Sequence, residues 1–264
     1  MDYVQFDAHQ AHEESHWWFT ARREIIESVV ARLLQVDHRH CVLDVGCGTG
    51  CTVATFSENY DAVGIDSSAD AVQRARTRYP DCQFIHGVVP DDAADVLRRV
   101  SLVTLMDVLE HVADDASLLA SIIDNVADGT LVVITVPADM TLWSQHDVVL
   151  GHYRRYDPRQ LATLWNDLPV DCLLLAPLNT RLEPAVRFMR TIKPRFISSR
   201  GAAGTDLKMP PRYLNDWLHR VFVGEKEVLM DRLERNVVDM KSKGVSLIAV
   251  IRKRAGAHVP RKPR

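Results

Sequence analysis

Three glycines at alternate positions follow a short apolar segment and could bring a ligand against the main chain. They are Gly46, Gly48 and Gly50, in the sequence VLDVGCGTG at residues 42–50. Glycine permits the sharp turn and the close approach that a Cβ atom would block. Asp66 ends a second apolar segment 20 residues after Gly46, where a carboxylate can accept hydrogen bonds from both ribose hydroxyls of a nucleoside. The spacing predicts a nucleoside-containing cofactor, and a tight strand–helix turn without a ligand is the alternative.

The residues around the glycines indicate which cofactor this is. A dinucleotide site needs a glycine at the sixth position of the motif, and this position holds Cys51. Asp44 precedes the glycines, and its carboxylate would repel a pyrophosphate. The same carboxylate suits a cationic or zwitterionic ligand such as a sulfonium amino acid. The charges therefore favour S-adenosylmethionine over NAD, the cofactor of the alternative oxidoreductase.

Three histidines that follow the fourth predicted strand could take a proton from an acceptor. Methyl transfer from a sulfonium depends on alignment and exclusion of water, and a general base is needed only when the acceptor must lose a proton. The candidates for this base are His111, His146 and His152. Local packing is the alternative for His111, and a metal site with Glu110 and Asp147 is the alternative for the other two. No metal site is predicted.

Basic residues near these histidines favour an anionic acceptor. Arg154 and Arg155 are adjacent, and residues 181–200 hold six Lys or Arg against Glu183 alone. Such a surface could attract a phosphorylated or carboxylated acceptor, or an anionic membrane surface. Structural ion pairs and a solvated helix face are the alternatives.

Short apolar segments alternate with helical ones, which predicts a doubly wound α/β fold. The expected strands are 40–45, 62–66, 83–86, 102–108, 131–136, 170–176 and 245–251. The expected helices between them are 51–60, 68–79, 91–99, 114–126 and 158–166. Strands this short and apolar are typical of a mostly parallel sheet buried on both faces. The prediction is a seven-stranded Rossmann-like sheet.

The chain is expected to divide into four parts. They are an N-terminal helical lid (1–39, with a helix at 13–36), a cofactor-binding core (40–178 with 245–252), a helical cap (179–244) and a basic disordered tail (253–264). The cap is expected near the carboxyl edge of the sheet, with helices near 183–191 and 213–235, because a structureless loop of that length is rare.

Composition excludes several classes of protein. The chain has 264 residues, 47% apolar and 25% charged, as in ordinary globular proteins. Its apolar runs are shorter than the ~18 residues of a membrane span, and the first residues lack a secretory signal. Five cysteines without a CxxC pair fit a reducing cytoplasm. The body of the chain is acidic and would repel nucleic acid. A cytoplasmic protein is expected, and no oligomeric state is predicted.

Several motifs resemble those of class I S-adenosylmethionine-dependent methyltransferases. VLDVGCGTG (42–50), AVGIDSS (62–68) and DVLEHV (107–112) match that superfamily in order and spacing. The flanks are similar to a bacterial small-molecule subgroup with the motifs HWWF-x-x-R and GH-x-RRY, found here at residues 16–22 and 151–156. The resemblance covers nearly the whole chain and implies a Rossmann-like methyltransferase.

Matching positions in the resemblance imply a set of cofactor-binding residues. They are Trp18, Arg22, Asp44, Gly46, Cys47, Gly48, Gly50, Asp66, Ser67, Gly87, Val88 and Asp107. The glycines approach the methionine and ribose, Asp66 holds the ribose hydroxyls, and Ser67 lies beside the adenine. Asp107 covers the methionine moiety. The segment with Trp18 and Arg22 folds over the cofactor, where Arg22 can pair with the methionine carboxylate.

The sequence thus predicts an S-adenosylmethionine-dependent methyltransferase that releases S-adenosylhomocysteine. The expected acceptor is a small or medium-sized molecule, which can be anionic, methylated on oxygen or nitrogen. The resemblance implies biosynthesis of a natural product or of an envelope sugar or lipid. A cyclase or pericyclase that binds the same cofactor, and a non-catalytic scaffold on the same fold, are the alternatives.

Overall fold

Seven strands form one mixed sheet in the computed structural model, which describes residues 10–196 and 208–256, with the side chains of 191–196 left out. The strands are β1 (Cys41–Val45), β2 (Asp61–Asp66), β3 (Gln83–His86), β4 (Val100–Met106), β5 (Leu131–Pro137), β6 (Val170–Leu178) and β7 (Ser246–Lys253). Their order is β3-β2-β1-β4-β5-β7-β6. All neighbours pair in parallel except β7, which is antiparallel to β5 and β6. The predicted fold class is confirmed.

Helices cover both faces of this sheet. They are α1 (Trp17–Leu33), α2 (Cys51–Ser57), α3 (Ala69–Arg78), α4 (Ala94–Arg99), α5 (Asp115–Asn125), α6 (Gln145–Leu150), α7 (Pro158–Thr163), α8 (Glu183–Phe196), α9 (Arg212–Val223) and α10 (Lys226–Glu234). One core cluster joins the sheet to α4, α5 and α7, and the other joins it to α1, α2, α3, α9 and α10. Every residue of β1 and β5 is buried between these layers.

The order of the strands opens a crevice at one edge of the sheet. From β1 the chain moves outward to β2 and β3, and it then returns to β4 on the other side of β1. The loops that leave β1 and β4 therefore diverge, and ligands of open α/β sheets bind at this point. The glycines at 46–50 and the segment at 107–112 both follow strands at this edge.

The helix predicted at 13–36 is shorter, because His16 caps it. Nδ1 of His16 accepts a hydrogen bond from the backbone N–H of Trp18 at 3.3 Å, and α1 begins at the residue between them. Further along α1, Ile25 and Val29 are fully buried. The described part of the predicted lid is therefore mainly a layer of the fold, and only its first turns approach the crevice.

The described parts of the segment 179–244 pack on different surfaces. Only the first of its three described helices, α8, lies over the crevice, while α9 packs against α1 and α10 packs against β6. The helix predicted at 213–235 is divided at Gly224, which caps α9, and at Glu225, whose carboxylate accepts a hydrogen bond from the backbone N–H of Thr180 at 3.1 Å. Of the described residues of the predicted cap, α8 lies over the crevice, whereas α9 and α10 belong to the layer that contains α1.

The first residues of the predicted tail are ordered parts of the fold. Lys253 is the last residue of β7, and the backbone N–H of Arg254 donates to the carbonyl oxygen of Pro169 at 2.8 Å. The rest of the predicted tail, 257–264, lies outside the described residues, as do 1–9 of the predicted lid and 197–207 of the predicted cap. None of the described helices is both long and apolar enough to span a bilayer.

Candidate active site

A cavity of about 840 Å³ opens at the carboxyl ends of β1 and β4. It extends from the glycine loop to Pro137 at the end of β5, Asn179 after β6 and Ser246 at the start of β7. We call the part lined by residues 13–108 the cofactor half and the part lined by residues 110–246 the acceptor half. The volume lies in the range of small-molecule and cofactor sites.

Two of the three glycines line the cofactor half with left-handed backbone angles. The φ angles of Gly46 and Gly48 are 73° and 54°. A Cβ atom on Gly46 would lie 2.6 Å from Cγ2 of Val108. At Gly48 no described atom beyond the adjacent residues lies within 4 Å of the Cβ position, so a ligand can reach the main chain there. Both positions therefore fit the predicted role of bringing a ligand against the backbone.

Gly50 is the one predicted cofactor residue that does not line the cavity. A Cβ atom at this position would lie 2.7 Å from Cζ of Phe84 and 2.9 Å from Cβ of Ala75. Gly50 precedes α2 and has a φ of 88°. Contact of Gly50 with the cofactor stays a prediction, and in the structure the absence of a Cβ atom lets α2 begin close to β3 and α3.

Asp66 connects the loops that follow β1 and β2. Its Oδ2 accepts a hydrogen bond from the backbone N–H of Gly48 at 2.9 Å, and its Oδ1 accepts one from Ser68 at 2.8 Å. A carboxylate offers about four lone-pair positions, so each oxygen can still accept a hydrogen bond from a ribose hydroxyl. The other predicted residues of this region that line the cavity are Cys47, Ser67, Gly87 and Val88.

Asp44 is a buried carboxyl group in β1 whose ionisation depends on its surroundings. It is 3% exposed and accepts a hydrogen bond from the hydroxyl of Thr104 at 2.6 Å. Burial raises the pKa of Asp44 to about 7, although the Thr104 hydrogen bond and the charge of Arg22 oppose the rise. Near neutral pH the group is about half ionised, and a nearby cation would complete its ionisation.

The aromatic–arginine segment of α1 closes one side of the cofactor half. Arg22 forms an ion pair with Asp107, which also accepts a hydrogen bond from the hydroxyl of Thr135 at 3.1 Å. Burial lowers the pKa of Arg22 to about 10, so its guanidinium stays charged at neutral pH. One turn earlier, Trp18 stacks on Phe222 of α9 with ring centroids 5.3 Å apart. The packing of α9 on α1 therefore fixes the residues predicted to cover the cofactor.

Beside the acceptor half, the buried carboxylate of Asp147 contacts the side chains of His152 and Arg155. Its Oδ1 lies 3.1 Å from Nδ1 of His152 and accepts a hydrogen bond from Nε of Arg155 at 2.7 Å. Burial alone would raise the pKa of Asp147, but the hydrogen bond with His152 and the charge of Arg155 lower it below its usual range. The ionised carboxylate occupies Nδ1 of His152, which leaves Nε2 available to a ligand.

All three predicted catalytic histidines line this half of the cavity. The ring centroid of His152 lies 4.6 Å from that of His111 and 6.5 Å from that of His146. The backbone N–H of Tyr153 donates to the carbonyl oxygen of Glu110 at 2.7 Å. This hydrogen bond joins the loop after β4 to the loop after α6, which explains why residues about 40 positions apart meet.

Some of the predicted anion-binding arginines line the cavity and others do not. Arg155 and Arg190 line the acceptor half. Arg154 pairs with Asp115, Arg187 pairs with Asp139, and neither arginine lines the cavity. The side chains of Lys193 and Arg195, and the whole of Arg200, lie outside the described part of the chain.

Two buried polar side chains of the acceptor half were not among the predicted site residues. Asn179 is fully buried with a φ of 56°, and neither atom of its amide has a hydrogen-bond partner among the described residues. Both carboxylate oxygens of Glu110 are equally buried and lack a described partner. Burial raises the pKa of Glu110 to about 8. The sequence does not indicate a role for Asn179 in the site, because a single asparagine after a strand matches no motif.

Comparison with known proteins agrees with this geometry. Residues 18–168 match the family model described as a methyltransferase domain. The chain is 32% identical over 111 residues to trans-aconitate 2-methyltransferase of Escherichia coli O7:K1. This match covers 39% of this chain and 44% of that protein. It is 34% identical over 86 residues to ubiquinone biosynthesis O-methyltransferase of Proteus mirabilis, covering 30% and 35%. The chain thus spans less than half the length of these curated relatives.

Solved structures share the fold at low sequence identity. The plantazolicin methyltransferase BpumL with bound S-adenosylhomocysteine has a TM-score of 0.57 at 13% identity, covering 95% of this chain and 89% of that one. The 4+2 cyclase SpnF has a TM-score of 0.57 at 15% identity, covering 92% and 88%.

The chain belongs to the methyltransferase domain family. Its fold and family confirm the predicted membership of the class I S-adenosylmethionine-dependent methyltransferases, and they confirm S-adenosylmethionine as the cofactor of that class.

Proposed function

We propose that the protein transfers the methyl group of S-adenosylmethionine to an oxygen or nitrogen of a small or medium-sized acceptor. One observation carries this proposal: a continuous cavity joins the carboxylate of Asp66 to the three histidines of the acceptor half. A cofactor bound along the cofactor half would present its methyl end to an acceptor beside those histidines. We propose that the reaction takes place in the cytoplasm, in the biosynthesis of a natural product or of an envelope sugar or lipid.

The cofactor half supplies the binding groups that such a cofactor needs. S-adenosylmethionine, when bound, supplies an electrophilic methyl group on a sulfonium. Asp66 would bind the ribose hydroxyls, and Asp44 would attract the ammonium of the methionine moiety. Arg22, now paired with Asp107, would bind the methionine carboxylate. The remaining predicted residues would shape the walls around the adenine and ribose.

His152 is proposed as the group that takes the proton of an acceptor hydroxyl. Asp147 holds Nδ1, so a neutral His152 carries its lone pair on Nε2, as a general base requires. The rings of His111 and His146 lie beside this ring, with centroids 4.6 Å and 6.5 Å from it. S-adenosylmethionine held by Asp44, Asp66 and Arg22 would supply the methyl group, and Nε2 of His152 would take the proton that the acceptor hydroxyl loses.

The charges of the acceptor half favour an anionic acceptor. Arg155 and Arg190 are cationic, and Asp147 is the anionic group between them, 3.9 Å from Arg190. Glu110 adds little negative charge at neutral pH, because its pKa is raised to about 8. These four side chains leave an excess of positive charge. Several curated relatives are named for trans-aconitate, an anion, and this supports the same class of acceptor.

The proposed activity is tested with S-adenosylmethionine that carries a deuterated methyl group. The purified protein is incubated with it and with trans-aconitate, other di- and tricarboxylic acids, and phenols, each separately. We expect S-adenosylhomocysteine together with one product that has gained the labelled methyl mass. A rearranged product without that mass would instead support the cyclase. Binding of S-adenosylhomocysteine with no turnover of any acceptor would support the non-catalytic scaffold.

Cofactor affinity is expected to rise with pH as Asp44 ionises. Only the ionised carboxylate of Asp44 attracts the ammonium of S-adenosylhomocysteine, and the pKa of Asp44 is about 7. The ionised fraction grows ~10-fold between pH 6 and pH 8, and the association constant should follow it. Calorimetric titrations at pH 6, 7 and 8 measure this slope. Asp44→Asn should bind more weakly and lose the slope, and an equal slope in both proteins would remove Asp44 from the ammonium site.

Asn179 is expected to bind the acceptor, since its buried amide has no described partner. Asn179→Gly keeps the left-handed backbone and removes the amide. We expect the KM for the acceptor to rise ~10-fold through the loss of one or two hydrogen bonds, with the affinity for S-adenosylhomocysteine unchanged. Little stability should be lost, because an unpaired buried amide is itself destabilising.

Asn236→Gly is the matched control for that variant, because Asn236 has a φ of 51° and is exposed outside the cavity. Both variants exchange asparagine for glycine in the same backbone conformation. If Asn179→Gly were much less stable than Asn236→Gly while the KM for the acceptor stayed constant, Asn179 would be a structural residue.

A further inference from the structure

Three side chains of types that bind metal ions meet at the acceptor half. Glu110, His111 and His152 each offer one ligand atom, and these atoms lie within 4.8 Å of one another. The first two lie on the one-turn 3₁₀ helix Leu109–His111 after β4, and His152 lies on the loop after α6. All three line the cavity. Their arrangement differs from the set considered from the sequence, because Asp147 is occupied by His152 and Arg155.

The carboxyl group of Glu110 lacks a hydrogen-bond partner among the described residues that would offset the cost of its burial. The residue is fully buried, and neither of its oxygens has a hydrogen-bond partner among the described residues. Leaving a buried polar group unpaired costs ~1–3 kcal/mol, and more for a charged one. Buried carboxylates are normally paired or bound to a metal ion. A cation beside Glu110 would supply the missing partner.

Asp147 orients the ring of His152 in the way that an outer-shell carboxylate orients a histidine that binds a metal ion. Histidines that ligate metals almost always donate the other ring N–H to a carboxylate or carbonyl group, which fixes the tautomer. Asp147 lies 3.1 Å from Nδ1 of His152 and is itself held by Nε of Arg155 and by the backbone N–H of Ser144. Nε2 of His152 is therefore presented as a ligand by a rigid network.

The two loops that carry these side chains are fixed to each other. The backbone N–H of Tyr153, next to His152, donates to the carbonyl oxygen of Glu110 at 2.7 Å. The rings of His111 and His152 pack edge to face with centroids 4.6 Å apart. Ligands from both loops thus need only side-chain adjustment to close around an ion.

We propose that Glu110, His111 and His152 bind one divalent first-row transition-metal cation, such as Mn²⁺ or Zn²⁺, with open coordination positions toward the cavity. Two imidazole nitrogens and one carboxylate suit such ions, whereas Ca²⁺ and Mg²⁺ prefer all-oxygen sites. The inference rests on the proposed function, because the open positions face the space assigned to the acceptor. The acceptors favoured by such a site carry two adjacent oxygens, as hydroxy acids and vicinal diols do.

With the cation bound, Nε2 of His152 would be a ligand and could not take a proton, so the role of His152 as a base applies to the protein without metal. The cation would then assist the reaction instead, because it lowers the pKa of a coordinated hydroxyl. Alignment of the acceptor oxygen would then depend on all three ligands together, and loss of any one would displace the oxygen.

The test is metal binding by the whole chain without an affinity tag. The protein is treated with a chelator, dialysed and titrated with Mn²⁺, which is followed by electron paramagnetic resonance, and with Zn²⁺, which is followed by calorimetry. We expect one ion per chain. Glu110→Gln, His111→Ala and His152→Ala should each weaken binding at least ~10-fold, and Asp147→Asn should weaken it by 10- to 100-fold, as outer-shell substitutions do. His38→Ala, in an exposed position before β1, is the control and should bind as the wild type does.

Each outcome decides the inference. No stoichiometric binding of either ion, or binding that survives all three ligand substitutions, overturns it. Titration with S-adenosylhomocysteine on the same samples keeps this result separate from the proposed function. If that ligand binds and methyl is transferred while neither ion binds, the metal site alone fails. If that ligand does not bind to the wild type, the proposed function fails. Its binding to the variants shows that they are folded.

Discussion

Asp66→Ala should weaken the binding of S-adenosylhomocysteine by about 10²- to 10⁴-fold. Two charge-assisted hydrogen bonds to ribose hydroxyls would be lost, at ~1.5–3 kcal/mol each. The substitution also removes the acceptor for the backbone N–H groups of Gly48 and Ser68, so the glycine loop loses its connection to the end of β2. Both effects act on the same ligand. Isothermal titration calorimetry measures the change, with NADH as a ligand that should not bind.

Asp61→Ala is the control for this result. Asp61 begins the same strand, β2, at its opposite end, where it pairs with Arg99 on the surface. The loss of this exposed pair should leave the affinity for S-adenosylhomocysteine within twofold of the wild type. An affinity of Asp66→Ala equally close to the wild type would remove Asp66 from the cofactor site.

His152→Ala should lower kcat by about 10²- to 10⁴-fold, the contribution of a positioned proton acceptor. The affinity for S-adenosylhomocysteine should stay unchanged, because His152 lies in the acceptor half. Asp147→Asn should lower kcat as well, since the amide can present its N–H₂ group to Nδ1 and reverse the tautomer of His152. The rates are measured with the acceptor that gains the labelled methyl group.

His38→Ala should keep the wild-type rate, because His38 precedes β1 at the edge of the sheet away from the cavity. A kcat of His152→Ala close to that of His38→Ala would show that the acceptor loses no proton to this side chain. The three histidines would then only line the cavity.

The glycine loop and Asp66 could be located from the sequence, because their chemistry depends on neighbours close in the chain. A strand, spaced glycines and a terminal acid are local features. In the structure, Gly46 and Gly48 line the cavity and Asp66 accepts a hydrogen bond from Gly48. Gly50 shows the limit of this reasoning. Its missing Cβ faces Phe84, and a spacing rule does not say toward which side a glycine is open.

Features that depend on distant pairing could not be predicted. Asn179 reaches the cavity because β6 lies beside β7, which returns antiparallel from the end of the chain. An apolar helix face predicts burial but not the surface that covers it. The sequence therefore predicts a cap that includes α9 and α10, whereas in the structure these helices pack on α1 and β6. The stacking of Trp18 on Phe222 is a consequence of that packing.

The most direct test of the proposed site is a crystal structure of the protein with S-adenosylhomocysteine. We expect the ribose hydroxyls within hydrogen-bond distance of Asp66, the amino-acid end beside Asp44 and Arg22, and the sulfur directed toward His111 and His152. A ligand bound outside the cavity, or one whose sulfur points away from the acceptor half, would contradict the account.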